Sequence, residues 1–173
     1  MHKLMNHPKL VDIIGKSAET TKVTNFLQFW NQAWFLNVRS AYGIFGLGQL
    51  KNQQKYCEMA EKILMLACNA PLAHGCFPSL CQITDQGPKW IEGIRAFAPI
   101  REYNLVDMAL TCYWIILFKK TYYAKMSEGL QKEICRFLNE SLPEVIDMMI
   151  TCQLGSGAVP TFVGLDKGQN DSH

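Results

Sequence analysis

The chain has almost no net charge. Its 173 residues hold 17 Lys and Arg against 15 Asp and Glu, a formal net charge of +2. So small an excess gives no electrostatic reason for nucleic acid or an anionic membrane surface to bind. The longest basic run is the pair Lys119-Lys120. Long apolar runs are also missing. The longest, Met108 to Phe118, is interrupted by Thr111 and falls well short of the ~20 residues a bilayer-spanning helix needs. Residues 1–16 mix His, Lys, Asn and Pro with a few aliphatics, so they contain no signal-peptide h-region. Neither a P-loop nor a Gly-x-Ser-x-Gly elbow occurs. Gly43-x-x-Gly46-x-Gly48 lacks the strand–turn–helix setting of a dinucleotide site, and small residues that allow close helix approach explain it better. No cofactor is implied.

What is present is apolar. The hydrophobic fraction is 49% against 18% charged, which suits one globular domain with a substantial core and argues against disorder. Seven Cys cannot all pair within one chain. Five of them (Cys57, Cys68, Cys112, Cys135 and Cys152) fall in helical patterns, where Cys acts as a small apolar residue. That usage suits a reducing compartment, and a cytoplasmic location is expected. His74-x-Cys76-x4-Cys81 matches no common zinc spacing, so no metal is expected.

Helical spacing dominates throughout. A short helix is expected near Leu10 to Lys16, a longer one over Lys22 to Trp34 with Trp30 and Trp34 on one face, and another over Phe35 to Leu50. Tyr56, Met59, Ala60, Ile63, Leu64 and Ala67 mark an amphipathic helix over 54–69. Residues 71–103 are dense in Gly and Pro and read as a long irregular loop. Asn104 caps the next helix with Asp107 as its capping-box partner. That helix is apolar nearly all round from Leu105 to Phe118, which implies burial on every side. Ser127 opens a helix with the stripe Leu130, Ile134, Phe137 and Leu138. Ser141 and Glu144 mark a second capping box, with Pro143 in the first turn. Residues 1–20 and 165–173 are expected to be peripheral or poorly ordered.

The pattern repeats. An apolar helix around Tyr42 or Tyr113 precedes an amphipathic helix carrying Met-Leu-Ala-Cys (65–68) or Met-Ile-Thr-Cys (149–152). A Gly-x-x-Pro loop follows each, at Gly75–Pro78 and Gly157–Pro160. A repeated helix–helix–loop unit implies a solenoid or a closed toroid.

Several segments carry a family likeness: Arg39-Ser40-Ala41-Tyr42-Gly43, Ala70-Pro71 leading to Gly75-Cys76-Phe77-Pro78, Trp90, and Asn104-Leu105-Val106-Asp107. Thr111-Cys112-Tyr113-Trp114 and Gln153 with Gly157-Ala158-Val159-Pro160-Thr161-Phe162 complete the set. Over roughly residues 30–165 the chain resembles the six-hairpin glycosidase-like (α/α) toroids. The resemblance implies an all-α fold of helical hairpins forming part of an (α/α) toroid. It further implies a ligand cleft among the loops near the N-terminal ends of the inner helices, and activity on carbohydrates. Such loops often read Asp-Gly, whereas here His74 or Ser156 precedes the glycine, so no loop acid is carried over. About three hairpins are legible where a toroid has six. The chain therefore reads as a single incomplete toroid, completed by its own missing remainder or by a second copy in a homodimer.

Glycoside hydrolysis uses two carboxyl groups flanking the bond. Asp107 and Glu92 are the candidate acids among Asp85, Glu92, Glu102 and Asp107. The capping role explains Asp107 without any ligand. Arg39, Trp90, Tyr42 and Asp85 are the candidate substrate-binding residues. Arg39 offers a fork of donors to a hydroxyl or carboxylate, although an acid at the ring's end would hold it equally well. Trp90, two residues from Glu92, offers a ring face to a pyranose, although a loop Trp more often anchors its loop to the core. Asp85 sits in ordinary turn composition. Tyr113 and Trp114 read as core. The expected ligand is an oligosaccharide or uronic acid, with a non-catalytic scaffold or glycan- or protein-binding module as the alternative. A terpenoid-cyclase-like toroid is disfavoured because no two Asp are adjacent.

Overall fold

Residues 27–78, 80–91 and 102–164 are described by the structure, a computed structural model. Strand β1 (Leu27–Trp30) runs directly into α1 (Asn31–Lys51). The expected break between two helices near Phe35 is absent. Trp30 ends a strand while Trp34 lies in the helix, so they share no helical face. The reason is long-range: the backbone of β1 is taken up by β2 (Leu80–Thr84), with Trp30 opposite Leu80. Such pairing overrides local periodicity.

A tight turn through Asn52, at φ 51°, leads into α2 (Gln54–Cys68). Gln53 N–H closes it by donating to Gly48 C=O at 2.8 Å. The buried line of α2 is Cys57, Ala60, Leu64, Ala67 and Cys68, while Tyr56 and Met59 of the expected stripe are exposed. Two of the three glycines of α1 make close approach possible. A Cβ on Gly48 would stand 2.7 Å from Cys57 Sγ, and one on Gly46 would stand 2.5 Å from the Tyr122 hydroxyl.

The stretch expected to be irregular contains a β-hairpin. β2 pairs with β3 (Gly87–Ile91) across an Asp85-Gln86 turn, helped by Gly87 at φ 106°. Pro88, which has no N–H to donate, lies on this edge strand.

The second hairpin opens with β4 (Glu102–Asn104) and α3 (Leu105–Tyr122). After a tight turn at Tyr123–Lys125, α4 (Glu128–Arg136), a π-helical stretch (Phe137–Ser141) and α5 (Leu142–Thr151) form one continuous rod. Ser127 caps this rod by accepting from Leu130 N–H at 3.4 Å. The second capping box does not form: Ser141 has helical dihedrals and makes no cap bond. Pro143 lacks a donor and would crowd the turn before it. The wider π turn, in which Leu142 N–H reaches back to Phe137 C=O, absorbs the proline without ending the helix.

The two hairpins stack in parallel. Arg39 lies level with Trp114, Tyr42 with Phe118, and Phe45 with Tyr122, so α1 and α3 run the same way. The outer helices agree: Glu61 accepts from Ser127 N–H, and Arg136 donates to Cys68 C=O. The helices form two layers, α1 with α3 and α2 with the rod from α4 to α5, and the class of the described residues is all-α. Every strand then falls at one end, where α1 and α3 begin. There β5 (Phe162–Gly164) pairs with β4, as β2 pairs with β1. In both units a left-handed glycine lies in the loop that follows the second helix, Gly75 at φ 72° and Gly157 at φ 84°.

The two glycines differ in their surroundings. A Cβ on Gly75 would meet Glu144 C=O at 2.5 Å and Met148 Cβ at 2.8 Å, whereas the nearest atom to one on Gly157 is 3.8 Å away. Gly157→Ala should therefore cost about 1 kcal/mol from backbone strain alone. Gly75→Ala should cost about 3 kcal/mol, because overpacking is added. Urea denaturation of the two variants measures the difference, and equal losses would refute it.

Candidate functional site

The strand-bearing end holds the candidate acid. Asn104 ends β4 and accepts from Asp107 N–H at 3.1 Å, so the forward half of the expected cap is present. Leu105 N–H donates to Thr161 C=O at 2.9 Å, which pins the start of α3 to the strand pair. Asp107 itself is 7% exposed. Its Oδ2 is buried and has no hydrogen-bond partner among the described residues. Its carbonyl accepts from Thr111 Oγ1 at 2.8 Å. Burial pushes the carboxyl above the usual carboxylate range. A carboxyl held this way favours its protonated form, which can donate a hydrogen bond or a proton.

Asp107 precedes Trp114 by seven residues, two helical turns, so both lie on the face of α3 that meets α1. The distance along the axis is about 10 Å. Lower on that face is an aromatic seam. Tyr42 contacts Trp114, Phe118 and Tyr122 with ring centroids 5.5, 6.1 and 5.1 Å apart. Its hydroxyl lies 3.3 Å from Thr121 Oγ1. The Arg39 guanidinium sits 6.0 Å from the centre of the Trp114 ring. Arg39 is thus well inside α1 rather than at its start, and its observed contact is a ring face. Arg39 and Tyr42 are brought together, but with Trp114 in the inter-helix seam.

Trp90 lies on β3 opposite Cys81, half-buried and packed against the core. It is a strand residue, not part of an irregular loop. Asp85 is exposed at the hairpin tip. Glu92 lies outside the described residues. His74 is exposed at φ 54°, while Cys76 and Cys81 are buried. Among the described residues no three His, Cys, Asp or Glu side chains gather as a metal-binding group. Tyr113, expected in the core, is 54% exposed, and Val106 and Ile116 share its outward face. Sequence reasoning missed this because an all-apolar helix looks the same whether a neighbour covers it or not.

No family model, curated protein or solved structure matches this chain. Among the described residues no helix is long and apolar enough to cross a membrane.

All seven cysteines are free thiols, and five are buried. Burial pushes Cys68, Cys76 and Cys112 up to about 12, so almost no thiolate is available to react at neutral pH. A thiol reagent should label Cys135 and Cys152 in the native protein and the other five only after unfolding. Mass spectrometry of peptides labelled before and after denaturant reads this directly.

For Asp107 the folded state binds a proton more tightly than the unfolded chain does. Ionisation therefore weakens folding as the pH rises from the ordinary carboxylate value of about 4 toward the raised folded value. Across that window the wild-type melting point should fall relative to that of Asp107→Asn, which should melt no lower than wild type at pH 7. An Asn variant that is less stable at neutral pH would show that a charge partner holds the carboxylate instead.

Proposed function

We propose that this chain is a carbohydrate-active protein of the six-hairpin glycosidase-like kind, binding an oligosaccharide or uronic acid at the strand-bearing end. One observation carries the reading. Asp107 is buried in the first turn of α3, where the loops of both hairpins gather, and one of its carboxyl oxygens has no hydrogen-bond partner among the described residues. Leaving such an oxygen unpaired is unfavourable by about 1–3 kcal/mol, and a sugar hydroxyl would relieve that. The raised carboxyl is suited to act as the acid of a glycosidase pair. Two further features support the assignment: inner and outer helices stack in parallel hairpins, and Trp90 holds a half-buried ring at the same end. Glu92, two residues beyond Trp90, is the proposed second carboxylate. Arg39 and Tyr42 act by positioning α3 rather than by touching the sugar, since their contacts are with Trp114 and its neighbours.

A second reading, a non-catalytic scaffold, is favoured by the apolar side chains exposed along both flanks of the stack.

A thermal melt against a panel of neutral oligosaccharides and uronic acids tests the first reading. Ligand at a hundredfold excess over Kd stabilises by about 2.7 kcal/mol. At this chain length that raises the midpoint by about 5–10 °C. One sugar class should produce the shift, and Asp107→Asn and Trp90→Ala should each abolish it while keeping a cooperative melt. A shift unchanged in both variants would refute the site, and no shift with any sugar would leave the scaffold reading.

A further inference from the structure

We infer that copies of this chain stack head to tail, with the outer flank of the second hairpin in one copy docking on the outer flank of the first hairpin in the next. The inference is independent of the ligand reading, because it uses the sides of the stack rather than its strand-bearing end.

The argument begins with the interface inside the chain. One side of α1, through Tyr42, Phe45 and Gly46, meets one side of α3, through Trp114, Phe118 and Tyr122. On each helix the opposite side is apolar and open. Val106, Tyr113 and Ile116 are exposed on α3, Tyr113 with its ring edge-on to Trp114 at a centroid distance of 5.4 Å. Leu47 lies on the side of α1 away from Tyr42 and is exposed as well.

The outer helices repeat this arrangement. On α5, Glu144 and Met148 approach Gly75 of the first hairpin. Ile146 and Ile150, each two residues further on, therefore point away from it, and Ile150 is 62% exposed. On α2, Glu61 reaches Ser127 of the second hairpin. Tyr56 and Met59 occupy the other side and are exposed. Each hairpin thus has one flank joined to its neighbour and one apolar flank joined to nothing among the described residues.

Terminal units of a stacked helical array carry polar outer faces when they end the array. Both outer faces here expose large apolar side chains among their charged residues. What would cover them follows from the repeat itself. The open flank of the second hairpin is the counterpart of the side by which the first hairpin holds its neighbour. The open flank of the first is the counterpart of the side by which the second is held. Since both units share the order strand, inner helix, outer helix, left-handed glycine and strand, a second copy supplies the missing mate for each flank. The contact is heterologous, so it propagates until the stack closes or keeps growing.

Sedimentation velocity of the full chain, up to about 100 µM, tests this with two variants. Y113E/I116E blocks the flank of the second hairpin, and L47E/M59E blocks that of the first. All four side chains are about half exposed, and Tyr113 also touches Trp114, so both variants should keep a cooperative melt. Wild type should gain mass with concentration. Each variant alone should stay monomeric, because every possible contact then includes a blocked face. Mixed together, they should form a one-to-one dimer through the single intact pair of faces. A monomeric wild type at the highest concentration, assembly of either variant alone, or a mixture that stays monomeric would each overturn the proposal. In the first of these cases the flanks belong to a different partner.

Discussion

The ring-on-ring seam between α1 and α3 is the contact on which the rest of the structure depends. Tyr42 and Phe45 pack against Trp114, Phe118 and Tyr122 with centroids 5.0–6.1 Å apart. Tilted and edge-to-face geometry adds about 0.5–1.5 kcal/mol per pair beyond area burial. The seam also sets direction. These rings meet in order along both helices, so the inner helices must run parallel, and each outer helix must then return on the outside. Gly46 is part of the constraint, because the Tyr122 hydroxyl occupies the space of its absent Cβ.

From that direction follows the segregation of the two ends. At one end the connections are tight, a turn at Asn52-Gln53 and a single helical turn at Tyr123–Lys125. At the other end the chain enters the first helix of each hairpin from a strand, and the loop after the second carries a left-handed glycine. Pairing the entering strand with the leaving one satisfies backbone groups that would otherwise need water. It also fixes the start of α3, and with it Asp107, against Thr161. Burial at this point raises the proton affinity of the carboxyl.

Much of this was legible in the sequence. The hairpin unit, the Asn104 cap and the twin Gly-x-x-Pro loops rest on local chemistry, and local chemistry is what a sequence displays. The misses share a cause. Ser141-x-x-Glu144 has the composition of a helix start, yet the helix passes through it, because a π turn accommodates Pro143 and the packing of Val145 and Met148 continues the rod. Leu27–Trp30 is a strand because Leu80–Thr84 lies beside it, and that neighbour is about fifty residues distant in the sequence. Tyr113 and Ile116 look like core residues on a helix apolar all round, but composition does not say which side a neighbour occupies. At the candidate site the sequence named Asp107, but not that one of its oxygens is buried with no partner among the described residues.

The exposed flanks and the buried carboxylate are departures from self-consistency of opposite kinds. One leaves apolar surface in water and the other leaves a polar atom out of it. Neither is needed to make two hairpins stack, since the aromatic seam and the bonds Glu61–Ser127 and Arg136–Cys68 already join them. Their magnitudes separate their roles. A fully buried aliphatic or aromatic side chain contributes about 1.5–3 kcal/mol, and the flank residues are already about half covered, so each stands to gain about 1 kcal/mol on docking. The side chains of the two flanks together therefore gain several kcal/mol, of the same order as the ~4–15 kcal/mol lost when two molecules associate. Stacking of copies is accordingly weak and set by concentration, unlike the covalently tethered seam between the hairpins of one chain. The carboxyl oxygen is a single atom whose cost a single hydroxyl can cancel, so under the proposed function it would select a ligand by geometry rather than by area. An array that adds or loses units through its flanks leaves the strand-bearing ends of those units facing the same way, and a long polymer such as a polysaccharide would then meet several copies of Asp107 along one edge.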